Sequence, residues 1–213
     1  MGLVASLTGG LARAELPSFP VEFRLGFAYL ADDTSGASFS GTPPGGAAQT
    51  FQGRDVGFVN ARLFGAEAEA LSRVGAVTLG AVGGFALGSG PDQSPGTPPL
   101  ANALVPGNLK ELRVAVAPGL RHAFERWPGV LSVELRAGAR WQNFPANGQS
   151  SGCITNGCVT YSHSELYLQP AVRLGFGLGA GFEVGLFAAA DAAPGPLHQV
   201  LGGLDFATSA LGF

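Results

Sequence analysis

Glutamates and arginines recur in this chain two residues apart: Glu22 and Arg24, Glu67 and Glu69, Glu111 and Arg113, Glu134 and Arg136. Arg121, Arg140, Glu165, Arg173 and Glu183 fall on the polar positions of their own segments. Two chemistries suit such a set. A carboxylate pair such as Glu67 and Glu69 could divide general acid and base work between its members. Carboxylates facing arginines would instead form a fixed ion-pair network, to which the planar guanidinium fork is well shaped. The two kinds occur in nearly equal number, and that balance favours the network.

Other reactive side chains are few. Cys153 and Cys158 stand close together in Ser-Gly-Cys-Ile-Thr-Asn-Gly-Cys. A disulfide closing a small loop in an oxidising compartment is the simplest account of them. A metal centre would need more ligands, and only His163 is near in sequence. The runs around Gly179-Ala-Gly181 are turns and not phosphate cradles, because no helix follows them. No cofactor is expected.

The elements that must position these residues follow from a period of two. In Leu131-Ser-Val-Glu-Leu-Arg-Ala-Gly-Ala-Arg-Trp141 every odd position is apolar and every even one is polar or glycine, which marks a strand with one oily and one wet face. Eight segments carry this pattern. The first runs from about Val21 to Ala31, with Phe23, Leu25, Phe27 and Tyr29 opposite Glu22, Arg24, Gly26 and Ala28. The next lie near Arg54–Ala70, Gly75–Gly88, Leu109–Phe124 and Leu131–Trp141, then Glu165–Gly177, a segment starting near Phe182, and Leu197–Phe213. In the second, Asn60 and Arg62 share the parity of the apolar residues, which places them above the hydrocarbon or requires a bulge. Pro118 cannot donate to a ladder, so a bulge or a gap is expected there.

Tight connections (Leu71–Val74, Glu125–Gly129, Leu178–Ala180) alternate with longer loops (Asp32–Gln52, Ser89–Asn108, Phe144–Ser164, and a brief one at Ala192–Pro196). An even strand count brings both termini to one end.

The 213 residues suit one domain, and no run of 18 apolar residues offers a membrane helix. Mean hydropathy is nevertheless positive, at +0.26, and only 13% of residues are charged, against about a quarter in a soluble domain. Thirty-four glycines beside a single lysine, Lys110, are a poor recipe for a water-facing surface. The net charge of −3 gives no reason to expect nucleic acid as a partner. Gly2–Leu11 is mildly apolar, and Ala12-Arg13-Ala14 has the small-x-small form of a cleavage site. Residues 1–14 therefore read as a signal-peptide remnant, and 15–213 as the barrel domain.

Alternation alone fits a soluble barrel as well as a membrane one. The wet face decides: paired glutamates and arginines, with many glycines and alanines, suit the crowded interior of an eight-stranded barrel and not a water-exposed sheet. The expected fold is an all-β, eight-stranded antiparallel up-and-down transmembrane β-barrel. Glu22, Arg24, Glu67, Glu69, Glu111, Arg113, Arg121, Glu134, Arg136, Arg140, Glu165, Arg173 and Glu183 point into its lumen. Phe23, Phe27, Tyr29, Phe64, Trp127, Trp141, Phe176 and Phe182 populate interfacial girdles.

The chain ends on an aromatic residue, Phe213, at a strand end. Over residues 20–213 the strand pattern, the loop asymmetry and this terminal aromatic resemble the small outer-membrane barrels of the OmpA transmembrane domain, OmpX and OmpW kind. The resemblance implies an integral protein of the bacterial outer membrane with long loops extracellular and termini periplasmic. Its partners would be outer-membrane lipids and the barrel-insertion machinery, which would read Phe213; the barrel itself would be a monomer. Leu211 and Ala207 fit the alternation counted back from Phe213, and Ser209 and Asp205 do not. Some such barrels are lipid A-modifying enzymes with a His-x-Ser arrangement at the outer rim. Ser162-His163-Ser164 lies there, but its spacing differs. His122 falls on the oily face and His198 at the mouth of the last loop.

The expectation is a non-enzymatic barrel with a charge-paired lumen, serving structure or surface-loop display. The alternatives are an OmpW-like conduit for small apolar solutes and an adhesin of the opacity type.

Overall fold

A computed structural model of the protein describes residues 21–42, 46–92, 105–147, 159–179, 181–192 and 196–210. Cys153, Cys158, Phe213 and the 1–14 segment lie outside the described residues. The strands are β1 (Val21–Asp33), β2 (Ser38–Gly41), β3 (Gln49–Gln52), β4 (Asn60–Val74), β5 (Val77–Gly88), β6 (Val105–Pro106), β7 (Leu109–Ala123), β8 (Gly129–Asn147), β9 (Val159–Gly179), β10 (Phe182–Ala190) and β11 (His198–Ala210). The long ones pair antiparallel in the order β1-β4-β5-β7-β8-β9-β10-β11, and β11 pairs with β1 again. The ring closes on eight strands, so it has no open edge.

Alternation decides what each face meets. Along β1, Phe23, Leu25, Phe27 and Tyr29 are exposed while Glu22, Arg24, Gly26 and Ala28 are buried. The same holds around the ring, and the outward residues are large: Phe27 is 66%, Phe64 69% and Leu166 85% exposed. A water-soluble protein does not bare a continuous belt of phenylalanine, leucine and valine; a barrel in a bilayer requires one. Polar side chains fill the inside. Trp127 and Phe124 stand near the short-turn end of this belt and Tyr29 packs on Phe64 near the other, with Phe176 half-buried against Trp127.

Several boundaries differ from the sequence reading. The ladder between β1 and β4 runs unbroken from Val21↔Ser72 to Asp33↔Asn60. Asn60 and Arg62 thus face outward without a bulge, past Phe64 at the long-loop end. Leu71–Val74 belongs to β4, and the turn is tighter than expected: Gly75 adopts φ +62°, a left-handed conformation that favours glycine. At Pro118 the β7–β8 ladder skips from Val116↔Ala137 to Gly119↔Glu134 with no change of register. The missing donor leaves a gap, not a bulge.

The largest difference is at Phe144–Ser164, expected as loop. β8 continues to Asn147, and β9 has already begun at Val159. Inward Phe144, Tyr161 and His163 keep the period of two, while outward Asn143, Ser162 and Ser164 are polar because this part of the sheet has passed the apolar belt. Here the aromatic residues turn inward and the polar ones outward, the reverse of the belt, and that reversal disguised the strands as loop. The expected first loop, Asp32–Gln52, is also structured: β1 takes Asp32 and Asp33, and β2 and β3 form a hairpin that touches β9 at Ser40↔Ser162. A single 3-10 turn, Gly53–Val56, replaces the start of the expected second strand.

Candidate functional site in the lumen

The lumen is crossed by two sets of ion pairs, a large one from the short-turn end upward and a smaller one around Arg140. Near the short-turn end, Arg121 of β7 binds Glu22 of β1 and Glu183 of β10. Arg24 reaches Glu22 at 2.9 Å and Glu69 at 3.0 Å, and also binds Glu134 across the barrel. Arg173 bridges Glu183 at 3.0 Å and Asp205 at 2.7 Å. Higher up, Glu67 accepts from Arg113 and Arg136, each at 2.8 Å. Arg136 also lies 3.6 Å from Glu134, and Arg113 lies 3.7 Å from Glu111. Arg140 donates to Glu165 at 2.6 Å and to Asp191 at 2.7 Å. Removing any one guanidinium leaves two or more buried carboxylates short of a partner, which is the costly event in such networks.

Sequence spacing did not reveal Asp32, Asp191 and Asp205, which turn inward as well. They join seven glutamates around six arginines, so the expected near-balance of charge does not hold. Asp205 was missed because counting back from Phe213 puts odd residues on the apolar face. In the structure Asp205 and Ala207 are buried, and Leu204 and Phe206 face outward. The large even-numbered residues Val200, Leu204 and Phe206 carried that signal. Asp32 sits at a strand end that reads as loop, and Asp191 lies just past the end of β10, beyond the clear alternation. Two amides were also missed: Gln142 of β8 and Gln199 of β11 each donate to both Asp32 and Glu111.

Inward glycines make room for these long side chains. A Cβ on Gly84 would lie 2.6 Å from Arg113 Nε, and one on Gly80 would lie 2.5 Å from Glu69 Oε1. At Gly185 it would meet Asp205 Oδ1 at 2.5 Å and Arg173 Nε at 2.8 Å. The glycine-rich wet face is the complement of the arginines that lean over it.

At the long-loop end the interior changes character. Phe39 of β2 packs against Phe144 (ring centroids 5.1 Å), Phe51 (5.9 Å) and Phe58 (6.2 Å), and Phe51 packs against Tyr161 (5.0 Å). Polar ties hold the hairpin over the mouth: Tyr161 donates to Gln49 at 3.0 Å, and His163 Nδ1 lies 2.9 Å from the Ser38 carbonyl. Burial raises the Tyr161 phenol above its ordinary pKa.

The candidate catalytic constellations do not assemble. Consecutive strand residues point to opposite faces, so His163 is buried while Ser162 and Ser164 face outward. Glu67 is held by two arginines. His122 is exposed beside Phe124, and His198 is exposed at the start of β11. Among the described residues no three His, Cys, Asp or Glu side chains are grouped to hold a metal ion.

A closed ring of eight antiparallel strands, apolar outside and filled by ion pairs within, defines an all-β transmembrane barrel of the small up-and-down class. No protein-family model and no curated protein matches the chain. Solved structures do: it is similar to Ail, the attachment invasion locus protein of Yersinia pestis, at 16% identity over 90% of this chain and 98% of that one, with a TM-score of 0.48. It is likewise similar to the Neisserial surface protein A, at 8% identity over 88% of this chain and 97% of that one, with a TM-score of 0.49.

Proposed function

We propose that the protein is a non-enzymatic, integral barrel of the bacterial outer membrane, sealed along its axis, that acts as a structural element and as a platform for its long loops. One observation carries this reading. From Glu22 and Arg121 at one end to Arg140 and Asp191 at the other, the lumen is occupied by mutually bound charged side chains, with an aromatic cluster above them. An aqueous conduit would leave its charges solvated; these are nearly all buried.

In this reading the long-loop end, with the β2–β3 hairpin and the extended β8–β9 pair, faces outside the cell, and the termini face the periplasm. Cys153 and Cys158 form a disulfide in the loop between β8 and β9, Phe213 serves the insertion machinery, and the barrel is a monomer.

Two experiments test it. Proteoliposomes holding the purified barrel should not swell faster than empty ones in an isotonic solution of a small sugar; swelling at a porin-like rate would make the protein a conduit. In a Cys153→Ser, Cys158→Ser background, Ala47→Cys should react with a membrane-impermeant maleimide on intact cells, and Ala76→Cys only after the outer membrane is opened. The reverse pattern would invert the orientation.

A further inference from the structure

Charge accounting inside the barrel leaves a surplus of acid. Among the described residues, Glu22, Glu67, Glu69, Glu111, Glu134, Glu165, Glu183, Asp32, Asp191 and Asp205 share a lumen with Arg24, Arg113, Arg121, Arg136, Arg140 and Arg173. Uncompensated charge surrounded by lipid and packed protein is too costly to leave standing. Ten carboxylates face six guanidiniums, so the surplus needs counter-charge, and the contacts show where it is least met.

Nine of the ten carboxylates lie within 4 Å of a guanidinium; among the described residues Asp32 has none so near. Its neighbour Glu111 has only Arg113, at 3.7 Å, and that same guanidinium is closer to Glu67 (2.8 Å) and also binds Gln199 (3.2 Å). What holds Asp32 and Glu111 is a pair of neutral amides. Gln142 Nε2 lies 2.6 Å from Asp32 and 2.8 Å from Glu111. Gln199 Nε2 lies 2.9 Å from Asp32 and 2.9 Å from Glu111. Each NH2 group thus touches both carboxyls, drawing them onto the same two donors. Amides orient carboxyls but cancel no charge. All four residues are buried, with Gln142 fully so.

We infer that Asp32 and Glu111 form a proton-binding site, holding one proton between them in the folded barrel. Two like charges pressed against the same donors disfavour joint ionisation, and a proton is the counter-charge that needs no further room. The other charged and titratable groups near the pair are already engaged. Arg140, from β8, binds Glu165 and Asp191. His163 and Tyr167, from β9, pack beside Ser38 and Arg140 respectively. Arg113 is divided between Glu67 and Glu111, and Asp33 points outward from β1. Because the folded state binds a proton that the unfolded chain releases at neutral pH, stability falls as pH rises. The folding equilibrium constant drops by up to about tenfold per pH unit over the range in which the unfolded carboxyls are ionised and the folded pair still holds its proton.

The test uses the folded full-length barrel in detergent or vesicles. Infrared difference spectra of wild type against Glu111→Gln and against Asp32→Asn should show a carboxylic-acid carbonyl band in wild type that each variant lacks. Urea midpoints of wild type should fall as pH rises from about 5, where the unfolded carboxyls are already ionised, and level off once the folded pair gives up its proton; each variant should flatten that fall. No acid band in the wild-type spectrum at pH 6, or a band unchanged in both variants, would overturn the inference. So would a stability that responds to added sodium or calcium and not to pH, since a bound cation would then be the counter-charge. The wild-type spectrum alone decides if a variant fails to fold.

Discussion

The two ends of the interior are built on opposite principles. Toward the short turns the lumen is filled by arginines and carboxylates that touch across it, as Arg24 does with Glu69 and Glu134. At the long-loop end it is closed by Phe39, Phe51, Phe58, Phe144 and Tyr161, brought together by a hairpin outside the ring. The charged part lies where the outside is lipid: its side chains have no water to turn to and must satisfy one another. The aromatic part lies past the apolar belt, where a loop can fold back and bury ordinary hydrophobic surface from water. Electrostatic pairing thus fixes the barrel, and hydrophobic packing fixes its cap.

Substitutions in the two regions should therefore differ in kind. Arg24→Ala should have the largest effect, about 3–5 kcal/mol on unfolding of the whole barrel, because Glu22, Glu69 and Glu134 lose a buried partner together. Urea titration of the folded barrel in vesicles measures it, and a cost below about 1 kcal/mol would put the charged network outside the stabilising structure. Phe39→Ala should remove about 3 kcal/mol from the cap and leave the barrel transition nearly in place. Limited proteolysis should then cut between β2 and β3 while the barrel fragment survives. Loss of the whole barrel would make cap and ring a single cooperative unit.

The faces themselves can be tested on adjacent residues of β8. Val133 is 52% exposed toward lipid and Glu134 is buried in the lumen. Val133→Arg should cost about 2–4 kcal/mol if it lies near the midplane, and Glu134→Gln less, since the lumen has carboxylates in excess. Equal costs would undo the assignment. Gly185→Ala should have the smallest effect, about 1–2 kcal/mol, as Arg173 and Asp205 shift to admit a methyl group. Double substitution with Asp205→Asn should be less than additive, because both changes act on one contact.

The same contrast explains what was legible in the sequence. The ring strands announce themselves because one face must be apolar and the other must not; of the thirteen expected inward charges eleven are buried, and Glu165 and Glu183 are half-buried. The rule fails where its cause ends. Past the belt, Asn143 and Ser162 are outward and polar, and strand continuing there looks like loop. The hairpin β2–β3 is four residues a side, too short to show a period. Phe39 and Phe58 come together only through the pairing of segments on either side of Gly53, which no local pattern encodes. Asp205 shows a different failure: the parity of a strand was read from its end, when Leu204 and Phe206 in its middle carried it.

Electrical conductance of the wild-type barrel in planar bilayers tests the central claim most directly, that the lumen is sealed by paired charges. The unmutated protein should insert without a steady conductance step, and Arg24→Ala, where it still folds, should give a small leak. A reproducible open channel in the wild type, stable over many insertions, would contradict the seal and make the protein a conduit.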